Sequence, residues 1–158
     1  MSGERDWNAE VIAEFRANHG QVAAPYDDPP PMLLLHTVGA RSGREHVVPM
    51  RCLPDGDRLY VFASAHGSAR NPDWYHNVVA HPDFDIEMGA EQGAEQGAEQ
   101  GAEPSIEVIP VHAAEVHGAE REAIFNRHAA RFPIFAEYQR ALQRTIPVIR
   151  LDRRGRTP

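Results

Sequence analysis

The sequence contains no lysine: all 16 of its basic residues are arginine. A lysine Schiff base or lysine general base is therefore excluded. Any bound anion must be held by guanidinium, imidazole, hydroxyl or backbone N–H groups. Cysteine occurs once, at Cys52, which excludes a disulfide framework and a cysteine-rich zinc centre. No apolar run approaches the ~20 residues of a membrane span. Met1-Ser2-Gly3-Glu4-Arg5-Asp6 lacks the basic start and apolar run of a secretory signal. Positive charge is in deficit, with 23 acidic residues and a net charge of -7. That balance speaks against nucleic acid as a partner, since such a binder needs a basic face. The expectation is a cytoplasmic protein with no stable membrane insertion; peripheral contact with a membrane is the second placement.

What is present fits one domain. The 158 residues are 42% hydrophobic, enough for a single buried core. Residues 1–31 read as an N-terminal helix and linker: Asp6 is the candidate N-cap, Trp7, Val11 and Phe15 recur at helical spacing, and Gly20 is a natural stop. Pro29-Pro30-Pro31 can form neither helix nor ladder. Strands are expected over 32–38, 45–53, 58–63, 84–88, 106–111 and 147–151, with Asp55-Gly56 as a hairpin turn. Helices are expected after Pro72, over 119–130 and over 134–144. Between the fourth and fifth strands Gly-Ala-Glu-Gln repeats in tandem over 89–104. A helix there would lose ~1 kcal/mol at each glycine and would stack glutamates four apart. The repeat therefore reads as a flexible hairpin loop. Short antiparallel strands with inserted helices give an α+β fold, and the strand number favours closure into a small barrel.

Three segments carry residue types suited to binding chemistry. Gly39-Ala40-Arg41-Ser42-Gly43-Arg44 lies between two strands; its glycines let backbone approach a ligand, and its arginines and serine can hold an anion. It has neither the lysine of a P-loop nor the spacing of a nucleophile elbow. Ser64-Ala65-His66-Gly67-Ser68-Ala69-Arg70 runs through Asn71 and Pro72 into a helix bearing Trp74, Tyr75 and Asn77. In Phe132-Pro133-Ile134-Phe135-Ala136-Glu137-Tyr138-Gln139, Phe135 and Tyr138 share one face of the expected helix, with Phe132 just before it, as core or as a wall for a planar ligand. Nine histidines include the pairs His76/His81 and His112/His117, but no metal-ligand pattern, so no metal is expected.

Taken in order, G-A-R-S-G, N-P-D-W-Y-H-N, F-P-I-F-A-E-Y-Q and I-P-V resemble the deazaflavin (F420)-dependent nitroreductase family from about Met32 to Leu151. The resemblance implies a split β-barrel, six-stranded and antiparallel, FMN-binding-like, with flanking helices. It also implies coenzyme F420 as cofactor and a quinone, nitro compound or other activated small molecule as electron acceptor. F420 carries a phosphate and a glutamate tail. Arg41, Ser42, Gly43 and Arg44 match the family's phosphate loop, with His46 beside it. Pro49, Met50, Ser64, Ala65, Asn71, Trp74 and Asn77 fall at the remaining cofactor positions. Tyr138 and Ser64 are the candidate catalytic proton donors. The cofactor performs the redox step, so no catalytic dyad is required. A homodimer is compatible with this family.

Three departures from the family pattern stand out. Arg41 occupies a position where lysine is frequent, and His46 one where a second arginine is usual. Phe132 and Phe135 occupy positions that can be tyrosine in nitro-reducing members. The alternative readings are an FMN-binding split-barrel flavoprotein and a non-catalytic F420-binding carrier.

Overall fold

A computed structural model of the chain describes residues 2–18, 20, 32–89 and 106–154. The linker 21–31, most of the Gly-Ala-Glu-Gln repeat, the last four residues of the tail and the side chain of Trp7 lie outside them.

Seven strands form one antiparallel sheet in the order β2-β1-β5-β6-β7-β4-β3. These are β1 (Met32–Val38), β2 (Glu45–Arg51), β3 (Leu53–Asp55), β4 (Arg58–Phe62), β5 (Asp83–Gly89), β6 (Ile106–Val116) and β7 (Val148–Arg153). Its two edge strands, β2 and β3, are consecutive in the chain with only Cys52 between them. Neighbouring Cα atoms are ~3.8 Å apart, so the sheet must curl until its edges meet. The run expected as one strand over 45–53 is thus bent into two, and the six expected strands become seven around the same half-barrel. Cys52 sits at the bend with no exposed surface, and burial pushes its thiol up to about 12. It is not a nucleophile at neutral pH.

The apolar run of β1 is explained by burial on both faces. Leu33 and Leu35 point into the barrel with Ile86, Phe84, Val61 and Leu151. Met32 and Leu34 point outward under helix α1 (Ser2–Ala17), against Val11 and Phe15. Each fully buried side chain of this size contributes roughly 1.5–3 kcal/mol. Helix α1 begins at Ser2, so Asp6 lies inside it rather than at its cap; Glu4 and Arg5 are good helix formers and do not stop it there. The end is closed by Gly20, whose N–H donates to the Phe15 carbonyl at 2.7 Å. Gly20 has φ +91°, and a Cβ there would lie 2.5 Å from Gly89 Cα, so the helix end and strand β5 meet backbone to backbone. Polar contacts complete the docking. Arg16 Nη2 donates to Glu87 Oε2 at 2.7 Å, and His36 Nε2 hydrogen-bonds the same oxygen. Burial alone would raise the Glu87 pKa, but the hydrogen bonds from Arg16 and His36 hold it below the usual carboxylate range.

Two expectations are corrected in length. Strand β6 continues to Val116, beyond the expected 111, because it pairs with β5 through its first half and with β7 through its second. Its second half carries His112, Ala113 and Ala114, which blur the alternation in sequence. Helices α2 (Asp73–Ala80), α3 (Gly118–Arg131) and α4 (Ile134–Ala141) complete the fold. The last is shorter than the expected 134–144, since the chain turns extended at Leu142. Helices α3 and α4 cover the outer face of β4 and β7 at Tyr60, Phe62 and Val148, with Ile124 and Phe125. Among the described residues no helix is long and apolar enough to cross a membrane.

Candidate active site

Two loops at the barrel present the residues singled out in the sequence, and each is held differently. The first, residues 39–44, joins β1 to β2. Gly43 N–H donates to the Gly39 carbonyl at 3.0 Å, and Gly39 N–H to the Arg44 carbonyl at 2.8 Å. Ser42 Oγ accepts from Arg44 N–H at 3.1 Å, which leaves its own proton available to a ligand. The Ser42 hydroxyl and the His46 ring both pack on Gly39. The loop is tied to helix α2, because Ala40 N–H donates to Asn77 Oδ1 at 2.9 Å. Asn77 also reaches the buried Thr37 hydroxyl, which donates to the His46 carbonyl at 3.1 Å. Arg41 and Arg44 are exposed and make no ion pair among the described residues.

The second loop follows β4. Ala65, His66 and Gly67 all have positive φ, at 49°, 54° and 83°. Two consecutive non-glycine residues in this region cost roughly 1–2 kcal/mol each, so the surroundings must hold them. Arg144 does so. Its Nη2 donates to the carbonyls of Ser64 and Ser68, each at 2.9 Å, and its Nε to Ser68 O at 3.1 Å. Its Nη1 donates to Ala63 O at 3.2 Å and to Asn71 Oδ1 at 2.7 Å. Gly67 is required for contact as well as conformation, since a Cβ there would stand 2.7 Å from Tyr138 Cδ1.

Arg144 is itself fixed from behind. Gln139 Nε2 donates to the Arg144 carbonyl at 2.9 Å, and Gln139 Oε1 accepts from Ile146 N–H and from Arg121 Nη2, each at 2.9 Å. Buried Arg121 also donates to Ile146 O at 2.8 Å. Pro147 O accepts from Ala63 N–H at 3.0 Å, holding the start of the second loop. The glutamine of F-P-I-F-A-E-Y-Q and the I-P-V segment therefore lock this loop through the backbone.

An aromatic wall flanks it. Phe135 and Tyr138 lie in edge contact at 5.8 Å, and both pack on the cluster around Phe62. His128 is stacked on Phe62 at 4.0 Å, and its Nδ1 has no hydrogen-bond partner. Burial, with the Arg51 charge adding to it, lowers its pKa to about 4, so it is neutral at pH 7. Phe132 lies under the Arg51 guanidinium at 4.7 Å. The Tyr138 hydroxyl has no partner among the described residues.

The other singled-out residues divide. Ser64, Ala65 and Asn71 come together on the clamped turn. Trp74 is 9% exposed and packs in the barrel core with Val78. Tyr75 donates to Glu115 Oε1 at 2.6 Å, and burial with that hydrogen bond pushes its hydroxyl up to about 12. Pro49 is buried in β2 opposite Leu34, while Met50 is half-buried against the barrel core. Among the described residues no group of three His, Cys, Asp or Glu side chains could hold a metal ion. Sequence reasoning missed Arg144, which stands outside every motif, and Gln139, which was read only as part of one. Helix α2 joins the two loops, with Asn71 before it and Asn77 on its last turn.

Comparison with known proteins agrees with this architecture. Residues 7–152 match the model of the F420H(2)-dependent quinone reductase family. The chain is 31% identical to an F420H(2)-dependent quinone reductase of Mycobacterium tuberculosis over 142 residues, covering 90% of this chain and 87% of that protein. Among solved structures it resembles an F420-H2 dependent reductase, FDR-A, with 30% identity and a TM-score of 0.62, covering 78% of this chain and 95% of that one. A second, described as a domain-swapped dimer, has 27% identity and a TM-score of 0.64 over 95% of this chain and 100% of its own. With a curled antiparallel sheet, a glycine-arginine loop and a match across nearly its whole length, the chain belongs to the F420H2-dependent quinone reductase family.

Proposed function

We propose that the two loops form one cofactor site, in which residues 39–44 hold the anionic arm of F420 and the turn at residues 63–71 faces its ring. Family membership makes the chain an F420H2-dependent oxidoreductase acting on a quinone; the assignment of roles to residues is our reading. The observation that carries it is Asn77, which fixes the backbone of a loop whose two arginines are unpaired among the described residues. An anchored backbone with unengaged guanidiniums, an available Ser42 proton and the Arg41 and Ser42 amides, which have no described hydrogen bond, is the donor set a phosphate and carboxylates require. The donors present thus fit a polyanionic cofactor despite the net negative charge of the chain.

When bound, reduced F420 supplies a hydride, and a quinone that accepts it needs a proton to become the hydroquinone. The protein positions the reactants and excludes water. Tyr138 is placed at the turn by its contact with Gly67, and its hydroxyl is available to hydrogen-bond an acceptor oxygen as negative charge develops there. Ser64 is the second candidate donor. His128 is neutral and enclosed by aromatic rings, so it is not assigned a proton-transfer role. The half-buried Met50 supplies apolar surface beside the ring. Trp74, in the barrel core, supports the site from below. The resemblance to a domain-swapped dimer supports a homodimeric assembly.

The test is steady-state oxidation of F420H2 with a menadione-like quinone. Turnover of F420H2 by the wild type, lost in an Arg41→Ala, Arg44→Ala double variant at low cofactor and recovered at high cofactor, supports the reading. Unchanged kinetics in the double variant contradict it.

A further inference from the structure

We propose that Arg144 is a positioning residue for the cofactor, acting through the left-handed turn rather than by touching the ligand. The inference rests on the placement of the turn beside the F420 ring in the reading above. The other arginines with several described hydrogen bonds pair with carboxylates: Arg16 with Glu87, Arg121 with Glu122, Arg150 with Asp152, and Arg154 weakly with Asp83. Arg144 instead spends all five of its described hydrogen bonds on neutral acceptors of one short segment, three backbone carbonyls and the Asn71 side chain. A charge half-withdrawn from water with no counter-ion among the described residues is a poor device for stability alone. It is a good device for fixing where several peptide groups point.

The direction follows from peptide geometry. In a trans peptide the C=O and the following N–H are opposed. With the carbonyls of Ala63, Ser64 and Ser68 drawn to the guanidinium, the N–H groups of Ser64, Ala65 and Ala69 face away from it. The positive charge behind these peptides polarises them and strengthens their N–H groups as donors. The opposite face of the turn therefore offers oriented donors to the carbonyl oxygens of a bound ring. Gln139 and Arg121 hold the Arg144 backbone and Tyr138 closes on Gly67, so helix α4, the clamp and the turn form one connected unit.

The experiment uses the full chain and compares wild type, Arg144→Gln and Arg144→Lys. Three readouts are taken: F420 affinity by fluorescence titration, kinetics with F420H2 and a menadione-like quinone, and amide exchange at Gly67 and Ser68, whose N–H groups close the turn at 2.9 and 3.0 Å. Loss of several charge-assisted bonds should weaken F420 binding by about tenfold or more in Arg144→Gln. The KM for F420H2 should rise with it, while the KM for the quinone stays within about twofold. Both amides should lose protection. Arg144→Lys keeps the charge without the fork and should fall between the other two. The loss should persist in high salt, unlike that of an exposed arginine. Wild-type F420 affinity in both variants, with only a lowered melting temperature, would overturn the inference and leave the site assignment standing. A wild type that does not bind F420 would overturn the site assignment and the inference with it. If Arg144→Gln does not fold, the Arg144→Lys titration alone decides, since unchanged affinity with unprotected amides would equally overturn the proposal.

Discussion

The loop at residues 39–44 and the turn at residues 63–71 solve opposite problems with the same residue type. In the first, the backbone is the fixed part and the guanidiniums of Arg41 and Arg44 are exposed and unengaged among the described residues. In the second, the guanidinium of Arg144 is the fixed part, and the backbone it grips is strained at Ala65 and His66. An exposed arginine attracts a charged ligand over a distance set by salt. A half-buried one shapes the chain at a range where salt counts for little. The comparison teaches that arginine count alone says nothing about a binding face in this chain; what each arginine touches decides its part.

Breaking the chemistry beside the clamped turn should give the largest effect. Tyr138→Phe keeps the ring on Gly67 and removes only the hydroxyl, so F420 affinity should hold while kcat falls by up to ~10²-fold. Equal turnover in both proteins would assign Tyr138 to packing alone. Next in size is the exposed loop. Arg41→Ala should cost one charge-assisted contact, roughly ten- to a hundredfold in F420 affinity. That loss should shrink as salt rises, whereas the loss from the Arg144 variants should not. Parallel salt slopes for the two positions would dissolve the distinction between them.

Acid should separate the two regions by stability. The His128 pKa is 6.5 when the chain is unfolded and about 4 in the fold, because burial and the Arg51 charge disfavour the cation. The unfolded chain then binds more protons between these values, so stability is full above the upper one and declines as pH falls toward the lower. The decline amounts to up to about 3 kcal/mol. Glu87 acts in a different window: its pKa is held below 4.5, so its contribution is lost only under more acid conditions. His128 stacks on Phe62, one residue before the clamped segment, so that side should loosen first. His128→Phe should flatten the stability curve between the two His128 values in a chemical denaturation series. An unchanged acid slope would show that the ring is not the group responsible.

The smallest effect is expected at the repeat. Strands β5 and β6 pair in unbroken register up to Gly89 opposite Ile106. Deleting residues 90–101 leaves a short hairpin connection, and loop length changes stability by only ~0.6 kcal/mol per doubling. The melting temperature and F420 affinity should stay close to wild type; loss of soluble protein would show that the segment packs on the barrel.

Much of the fold was legible. The apolar run Met32-Leu33-Leu34-Leu35 announced the first strand, and Asp55-Gly56 announced the turn between β3 and β4. The bend at Cys52 was not legible, because alternation on either side of it reads as one continuous strand. Nor was the second half of β6, where alanines and a histidine carry too little contrast. In the site, glycines and arginines marked residues 39–44, and small polar residues marked the turn. Its left-handed backbone was hidden, since Ala65 rarely adopts positive φ and one histidine, though enriched there, does not mark a turn by itself. Arg144 was invisible for a related reason. Its role depends on being brought back across more than seventy residues of chain to Ser64, and nothing in its neighbours reports that. Trp74 and Asn77 stand out in the sequence as cofactor positions; the structure puts Trp74 in the barrel core and makes Asn77 the tie between helix α2 and the loop at residues 39–44.

The central claim is that these two loops together hold F420. Its most direct test is a competitive fluorescence titration of the wild-type protein with F420 and FMN under identical conditions. The account predicts saturable F420 binding, with no displacement by FMN at comparable concentration. Tight FMN binding without detectable affinity for F420 would contradict it.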